Sequence, residues 1–358
     1  MTERVIRLAK KQISIHDIAA KAGVSIATVS RVMSGGIASE ASRRKVEAAI
    51  ADLGYESNTI SRRLAGQSGR SLLLMTTDVV NPYYSALCQG AETAARRNGY
   101  SLTLACRELE NRLDENTLEH LLSLPVDGAV LVGSAVENGT DEQLLDNLLR
   151  LQQKMPIVTI GPRIEGLSCV NITSDLSVSV KKSISHLIQL GHRRICYIGG
   201  SSDSRSYRSR RESFISEVAE QGLELLVEDN CGTGFSARAG EICTARLLSR
   251  LSDRDRPTAL VAANDLVALG ALRQLLRMGI RVPEEMALIG CDNQFFTPYL
   301  TPPLTTVDLH PEDHGRCAVE ELIRIIGGSG DVNYSQVREC SLIVRESCGA
   351  LLGARHFD

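Results

Sequence analysis

No run of eighteen or more apolar residues occurs in the 358-residue chain, which excludes a membrane-spanning helix. The basic opening from Met1 to Lys11 has no apolar stretch behind it. No secretory leader is therefore expected, and the cytoplasm is the expected compartment. Ten cysteines are present, but none forms a C-x-x-C pair and no Cys/His cluster has the spacing of zinc ligands. They read as scattered buried thiols in a reducing compartment, with no disulfide and no metal site. The signatures of catalysis are also missing: no G-x-S-x-G, no H-E-x-x-H, no P-loop. Gly199-Gly200 after an apolar run is not a dinucleotide fingerprint. No catalytic residue and no cofactor is expected, and the chain is not expected to be an enzyme.

What is present is an uneven charge. Residues 1–70 carry 12 Lys/Arg against 6 Asp/Glu, and the remainder carries 28 against 37, which gives the total of −3. A basic head on an acidic body is the electrostatic footprint of a phosphate-meeting module joined to one that meets none. The length suggests two or three domains.

The head has a specific pattern. Ser14-Ile15-His16-Asp17 reads as a helix start, with Ser14 as cap and the acid three residues on answering it. Ile15, Ile18, Ala19 and Ala22 follow at helical spacing, and Gly23 ends the helix. Ser25 caps a second helix over Ile26–Met33, with Val29 and Val32 turned inward. A third runs from a Ser39 cap to a Gly54 stop, its inner stripe formed by Val46, Ala49, Ile50 and Leu53. Two short helices joined by a tight glycine turn form a helix-turn-helix. Asn58 to Ala65 is a weak helix of about two turns, too short to stand alone in water. On composition alone it reads equally as a linker.

From Ser71 onward apolar strands alternate with amphipathic helices. The strands expected are Leu72–Thr76, Leu102–Cys106, Ala129–Val132, Ile157–Ile160, Ile195–Ile198, Ala259–Ala262 and Ala287–Ile289. Helices such as Tyr83–Asn98, Leu176–Leu190, Ser209–Gln221, Leu266–Met278 and Pro311–Ile326 lie between them. This alternation predicts parallel sheets covered on both faces. About 290 residues exceed one comfortable core, so two α/β lobes are expected, with a ligand cleft beyond the strand ends.

The stretch Ile15 to Ser34, with its continuation Ser42 to Tyr55, closely resembles the N-terminus of the LacI/GalR repressor family. The body carries matching stretches: Asn81-Pro-Tyr-Tyr84, Val126-Asp-Gly-Ala-Val130, His186 to Ile195, Ala263 to Gly270, Val282-Pro-Glu-Glu285, Ile289-Gly-Cys-Asp-Asn293 and Pro302 to Val307. The resemblance implies a small all-α helix-turn-helix domain over 1–57, a hinge over 58–70, and a clamshell similar to periplasmic sugar-binding proteins over 71–358. The expected lobes are interwoven, roughly 71–171 plus 300–330 and 172–299 plus 331–345.

It also implies roles. Ile26, Ala27 and Arg31 would face base edges, Arg31 offering a planar fork to guanine O6 and N7. Ser14, Thr28 and Ser39 would contact phosphates. In the hinge, Asn58 would cap a helix formed on operator DNA, Arg62 and Arg63 would meet phosphates, and Leu64 would wedge into the minor groove. Tyr83, Tyr84, Ser134, Arg210, Phe235, Asn264 and Asp292 would surround a small-molecule effector. Asp292 and Asn264 also suit helix caps, and Arg210 lies in a run of arginines that also suits a solvated face. Some positions depart from the family pattern: Gly161-Pro162 precedes Arg163, Leu176 follows Asp175, and Ser213 and Cys291 stand where a glycine and an aromatic are usual. The implied protein is a homodimeric regulator of pseudo-palindromic operator DNA, with no membrane partner. Repression is the expected output and ligand-responsive activation the alternative. The effector expected is a sugar or sugar derivative, with a nucleoside or purine as the alternative.

Overall fold

The computed structural model describes residues 14–33, 36–53, 69–106, 113–133, 142–201, 204–224, 226, 234–252 and 254–352. The chain forms two compact units, one reaching to Ser71 and including Pro125–Asp127, the other holding the rest.

The first unit contains α1 (Ile15–Ala22), α2 (Ile26–Met33) and α3 (Glu40–Leu53). Ser14 Oγ accepts from Asp17 N, and Asp17 answers at Ser14 N at 2.7 Å, the reciprocal cap its spacing predicts. Gly23 follows at φ 65°, a left-handed turn that a side chain would strain, and its N–H closes on Ala19 O. Ser25 Oγ accepts from Thr28 N at 3.1 Å and starts α2. Ser39 Oγ accepts from Ser42 N at 3.3 Å and starts α3. Ile18, Val29 and Val46, one from each helix, are fully buried against one another. Lys21 and Asp52 join α1 to α3 across the rim at 3.0 Å.

The second unit is built on two sheets. The first holds β1 (Ser71–Thr76), β2 (Ser101–Cys106), β3 (Gly128–Val132), β4 (Ile157–Ile160), β5 (Val170–Ser174) and β10 (Ser335–Arg338), in the order β10-β5-β4-β3-β1-β2. The second holds β6 (Ile195–Ile198), β7 (Ala259–Ala262), β8 (Ala287–Cys291), β9 (Thr305–Asp308) and β11 (Ser341–Ile343), in the order β11-β9-β8-β7-β6. The pairings β1/β3, β3/β4, β4/β5, β5/β10, β6/β7, β7/β8 and β8/β9 are parallel, and only β11 runs antiparallel to its neighbour among the registered pairs. The central strands are buried from end to end, which is why Leu72–Met75 and Ala259–Ala262 are unbroken apolar runs rather than alternating ones.

The helices of the first lobe are α4 (Pro82–Arg97), α5 (Glu115–Ser123), α6 (Glu142–Lys154) and α11 (Pro311–Ile326). Those of the second are α7 (Leu176–Gln189), α8 (Arg205–Glu220), α9 (Ala237–Arg250) and α10 (Asp265–Arg277). Two helix pairs meet backbone to backbone. A Cβ on Gly315 of α11 would lie 2.0 Å from Leu87 O of α4, and one on Gly270 of α10 would lie 1.7 Å from Ala237 O of α9. Only glycine fits either crossing.

The lobe boundaries differ from expectation at the C-terminal end. Thr305–Asp308 pairs with β8 in the second sheet, and Ser335–Arg338 pairs with β5 in the first. The expected assignments of 300–330 and 331–345 are thus reversed at these strands. Both are short edge or near-edge strands of mixed polarity, so their sheet is chosen by long-range pairing and not by local pattern. Among the described residues the chain crosses between lobes three times, after Ser174, after Asp308 and after Arg338.

Candidate functional site

On α2, Ile26 is 43% exposed, Ala27 and Arg31 are exposed, and Val29 and Val32 are buried. The helix is therefore held by one apolar face and turns the expected base-reading residues outward. Thr28 Oγ1 lies 2.8 Å from Ser25 Oγ. Ser14 and Ser39 each cap a helix, so any phosphate contact they make extends a structural role. Asn58, Arg62, Arg63 and Leu64 lie outside the described residues, as does Ser134.

In the second unit a cavity of about 600 Å³ opens between the two lobes beyond the strand ends. Six expected effector residues line it together: Tyr83, Tyr84, Arg210, Phe235, Asn264 and Asp292. Tyr83 and Tyr84 start α4, capped by Asn81, and meet edge to face at 5.3 Å. Arg210 projects from the buried side of α8 and donates to Ala263 O. Its neighbours Arg208 and Arg211 are more exposed, so helical phase alone separates the cavity arginine from the run. Asn264 is a cap: its Oδ1 accepts from Val267 N at 2.9 Å and its Nδ2 donates to Phe235 O at 3.1 Å. It lines the cavity with both ends of its amide engaged.

Asp292 follows β8 with φ 107°, a conformation that costs energy for any side-chain-bearing residue and re-aims the carboxyl. Burial pushes that carboxyl up to about 7, against the opposing pull of Arg210. Beside it Asp265 is fully buried, accepting from Thr306 Oγ1 at 2.6 Å and Gln294 N at 2.7 Å. Burial, with the neighbouring Asp292 charge, holds Asp265 well above the usual carboxylate range.

A model of the lacI family of bacterial regulatory proteins matches residues 14–58, and a model of a periplasmic binding protein-like domain matches residues 184–348. Over 350 residues the chain is 31% identical to the transcriptional regulator MalR of Streptomyces coelicolor, covering 95% of this chain and 98% of that protein. The chain belongs to the lacI family. It is a DNA-binding transcription regulator. It is similar also to the transcriptional repressor CytR of Escherichia coli (strain K12), at 29% identity over 352 residues, 96% of this chain and 99% of the relative. Among solved structures, the lac repressor dimer bound to operator and the anti-inducer ONPF matches with a TM-score of 0.80 and 25% identity over 94% of this chain and 99% of that one. The complex of the regulator CelR with cellobiose matches with a TM-score of 0.67 and 28% identity, with the same coverage. No helix among the described residues is long and apolar enough to cross a membrane.

The positions where this lacI-family chain departs from the pattern have distinct fates. Gly161, Pro162 and Leu176 line the cavity and add apolar surface to its wall. Arg163 turns away, donating to Asn333 Oδ1 at 2.8 Å and Ser335 Oγ at 3.3 Å. Cys291 is buried with Val307, Leu309 and Cys340. Ser213 Oγ bonds back to Ser209 O on α8. Sequence reasoning missed Phe295 and Phe296, which form an edge-to-face pair at 5.7 Å on the cavity wall. Two adjacent phenylalanines in a chain with five were the available signal. It also missed His314, which sits on α11 in an otherwise helical amphipathic pattern and also lines the cavity.

Proposed function

We propose that this chain is a repressor that binds pseudo-palindromic operator DNA as a homodimer and changes its operator affinity when a small molecule enters the cavity between the lobes. The reading head spans 1–57, the hinge 58–70 and the sensing body 71–358, a division supported by the break between compact units at Ser71. The observation that carries the reading is the pairing of two features in one chain: a buried-backed α2 that presents Ile26, Ala27 and Arg31, and a cavity built from both lobes. Arg31 reads a guanine, Ile26 and Ala27 touch thymine methyls, and Ser14, Thr28 and Ser39 set register on phosphates. Asn58, Arg62, Arg63 and Leu64 form a hinge that folds on DNA. The lac repressor complex, a dimer on operator, supports this arrangement.

The effector is a carbohydrate in this reading, supported by the cellobiose complex of CelR. A nucleoside is the second reading, favoured by the walls: Tyr83, Tyr84, Phe235, Phe295 and Phe296 suit a flat ring. The protein acts in the cytoplasm and is not an enzyme, since its relatives are regulators and no catalytic signature is present in its sequence. The test is selection from a random operator pool followed by anisotropy binding, comparing wild type with Arg31→Ala. Enrichment of a palindrome whose sequence relaxes in the variant supports the reading. Binding that depends on salt alone, with nothing enriched, overturns it.

A further inference from the structure

Among the described residues four non-glycine residues have a positive φ, and three of them gather around one carboxylate: Asp292 at 107°, Asn293 at 50° and His310 at 54°. Such backbone costs energy and persists only where its surroundings hold it. The holder is Asp308, the last residue of β9. Its Oδ2 accepts from Asn293 Nδ2 at 2.9 Å, and its Oδ1 accepts from His310 N at 2.7 Å. The His310 imidazole stands 3.5 Å from the same Oδ1. Asn293 is fixed from its other side as well. Arg345 Nη2 donates to Asn293 Oδ1 at 2.8 Å, and Thr306 Oγ1 accepts from Asn293 N at 3.3 Å. A guanidinium only donates and a carboxylate only accepts, so these two neighbours set which way the amide points.

These bonds join two places with different duties. Asp292 lines the cavity just beyond β8, and its N–H still pairs with Val307 O at 2.7 Å. Asn293 is the next residue, so its position fixes how Asp292 is presented. His310 lies in the second crossing, where β9 of the second lobe leads into α11 of the first. A cap local to that crossing needs only the His310 bond, two residues along the chain. The Asn293 bond spans 15 positions and serves the other place. We propose that Asp308 is a positioning residue that makes the turn presenting Asp292 and the lobe crossing at His310 a single unit. This rests on the cavity being the effector site. A ligand that shifts Asp292 must carry Asn293 with it or break its bonds, and either changes the hold on His310. The coupling acts for a ligand whose affinity differs between the two arrangements.

An exchange of the two side chains tests this in the full-length protein. Asp308→Asn leaves one acceptor oxygen where two are needed, and Asn293→Asp sets two carboxylates against each other. The double variant, Asn293→Asp with Asp308→Asn, keeps the net charge and restores every bond with the roles reversed. Its carboxylate at 293 accepts from Arg345 and from the amide at 308, whose oxygen accepts from His310 N. Hydrogen exchange of the ligand-free chain, read at single amides, is expected to quicken at His310 by at least about threefold in Asn293→Ala and in Asn293→Asp, since each loosens a carboxylate held by an ordinary hydrogen bond. The double variant is expected to return to the wild-type rate. Unchanged exchange at His310 in Asn293→Ala overturns the proposal, because a local cap would behave that way. A double variant no slower than Asn293→Asp overturns it as well. Calorimetry with ribose, glucose, cellobiose, uridine and adenosine as probes carries the test to the cavity. For a probe that Arg210→Ala weakens by at least about tenfold, Asn293→Ala is expected to cost at least about threefold in affinity and the double variant almost nothing. Full affinity in Asn293→Ala overturns the link to Asp292. A probe that binds wild type and Arg210→Ala alike overturns the cavity reading beneath it, and the exchange rates at His310 tell that failure apart.

Discussion

Arg31 and Asp292 are the single side chains on which the proposed operator and effector readings turn. Arg31 is exposed on a helix whose other face is anchored. Its removal is expected to cost ~1–3 kcal/mol of discrimination at one operator position and to leave non-specific binding nearly unchanged. Competition anisotropy with single-base operator variants checks this. Asp292 holds its proton in the native state to about 7, well above the usual 3.8 of an aspartate. Between those two values the folded chain binds more protons than the unfolded one, so this residue's contribution to stability falls as pH rises from about 4 to about 7. Asp292→Asn removes that slope. Its melting temperature is expected to gain on wild type between pH 5 and pH 8, and a scanning calorimetry series that shows parallel curves contradicts it. Arg31 and Asp292 were both legible in the sequence as members of motifs. Asp265 and Asn264's double engagement were not, because each depends on a partner 29 positions away.

At the level of helices, local chemistry sets the ends and backbone proximity sets the pairing. Ser25 is the cap that begins α2, and Ser25→Ala is expected to cost about 1 kcal/mol of stability in the N-terminal unit. Operator affinity should fall with it, since a frayed first turn misplaces Ile26 and Ala27. Circular dichroism melts beside binding isotherms test the pair of effects together. The crossing of α4 and α11 makes the opposite demand. Gly315→Ala places a methyl 2.0 Å from Leu87 O, so the helices must part. A loss of roughly 1–3 kcal/mol is expected in denaturant unfolding, in line with other overpacked sites. The caps were written in the sequence at fixed offsets. The glycine crossings were not, because a glycine within a helical pattern looks the same whether it faces solvent or another backbone.

For the molecule as a whole, the dimer reading ties protein symmetry to DNA geometry. Two recognition helices held a fixed distance apart require half-sites on one face of the duplex. Inserting about five base pairs between half-sites, half of the ~10–10.5 base-pair turn, is expected to abolish two-headed binding and leave only weak single-site contact. Restoring a full turn of about ten tests whether the separation is elastic. Affinity should also fall steeply with salt, because the basic head neutralises phosphates and releases counterions.

The sequence by itself determined the reading head, the caps that frame its helices, the alternation of strand and helix, and the family. These are local: spacing, turn chemistry and apolar runs act over a few residues and survive without knowledge of what lies opposite. Tertiary structure decided which sheet takes Thr305–Asp308 and Ser335–Arg338, which arginine of a run enters the cavity, and which polar atoms on its wall are spoken for. Strand pairing, helix phase and hydrogen-bond satisfaction are relations between distant residues, and they exist only once burial has forced each donor and acceptor to find a partner.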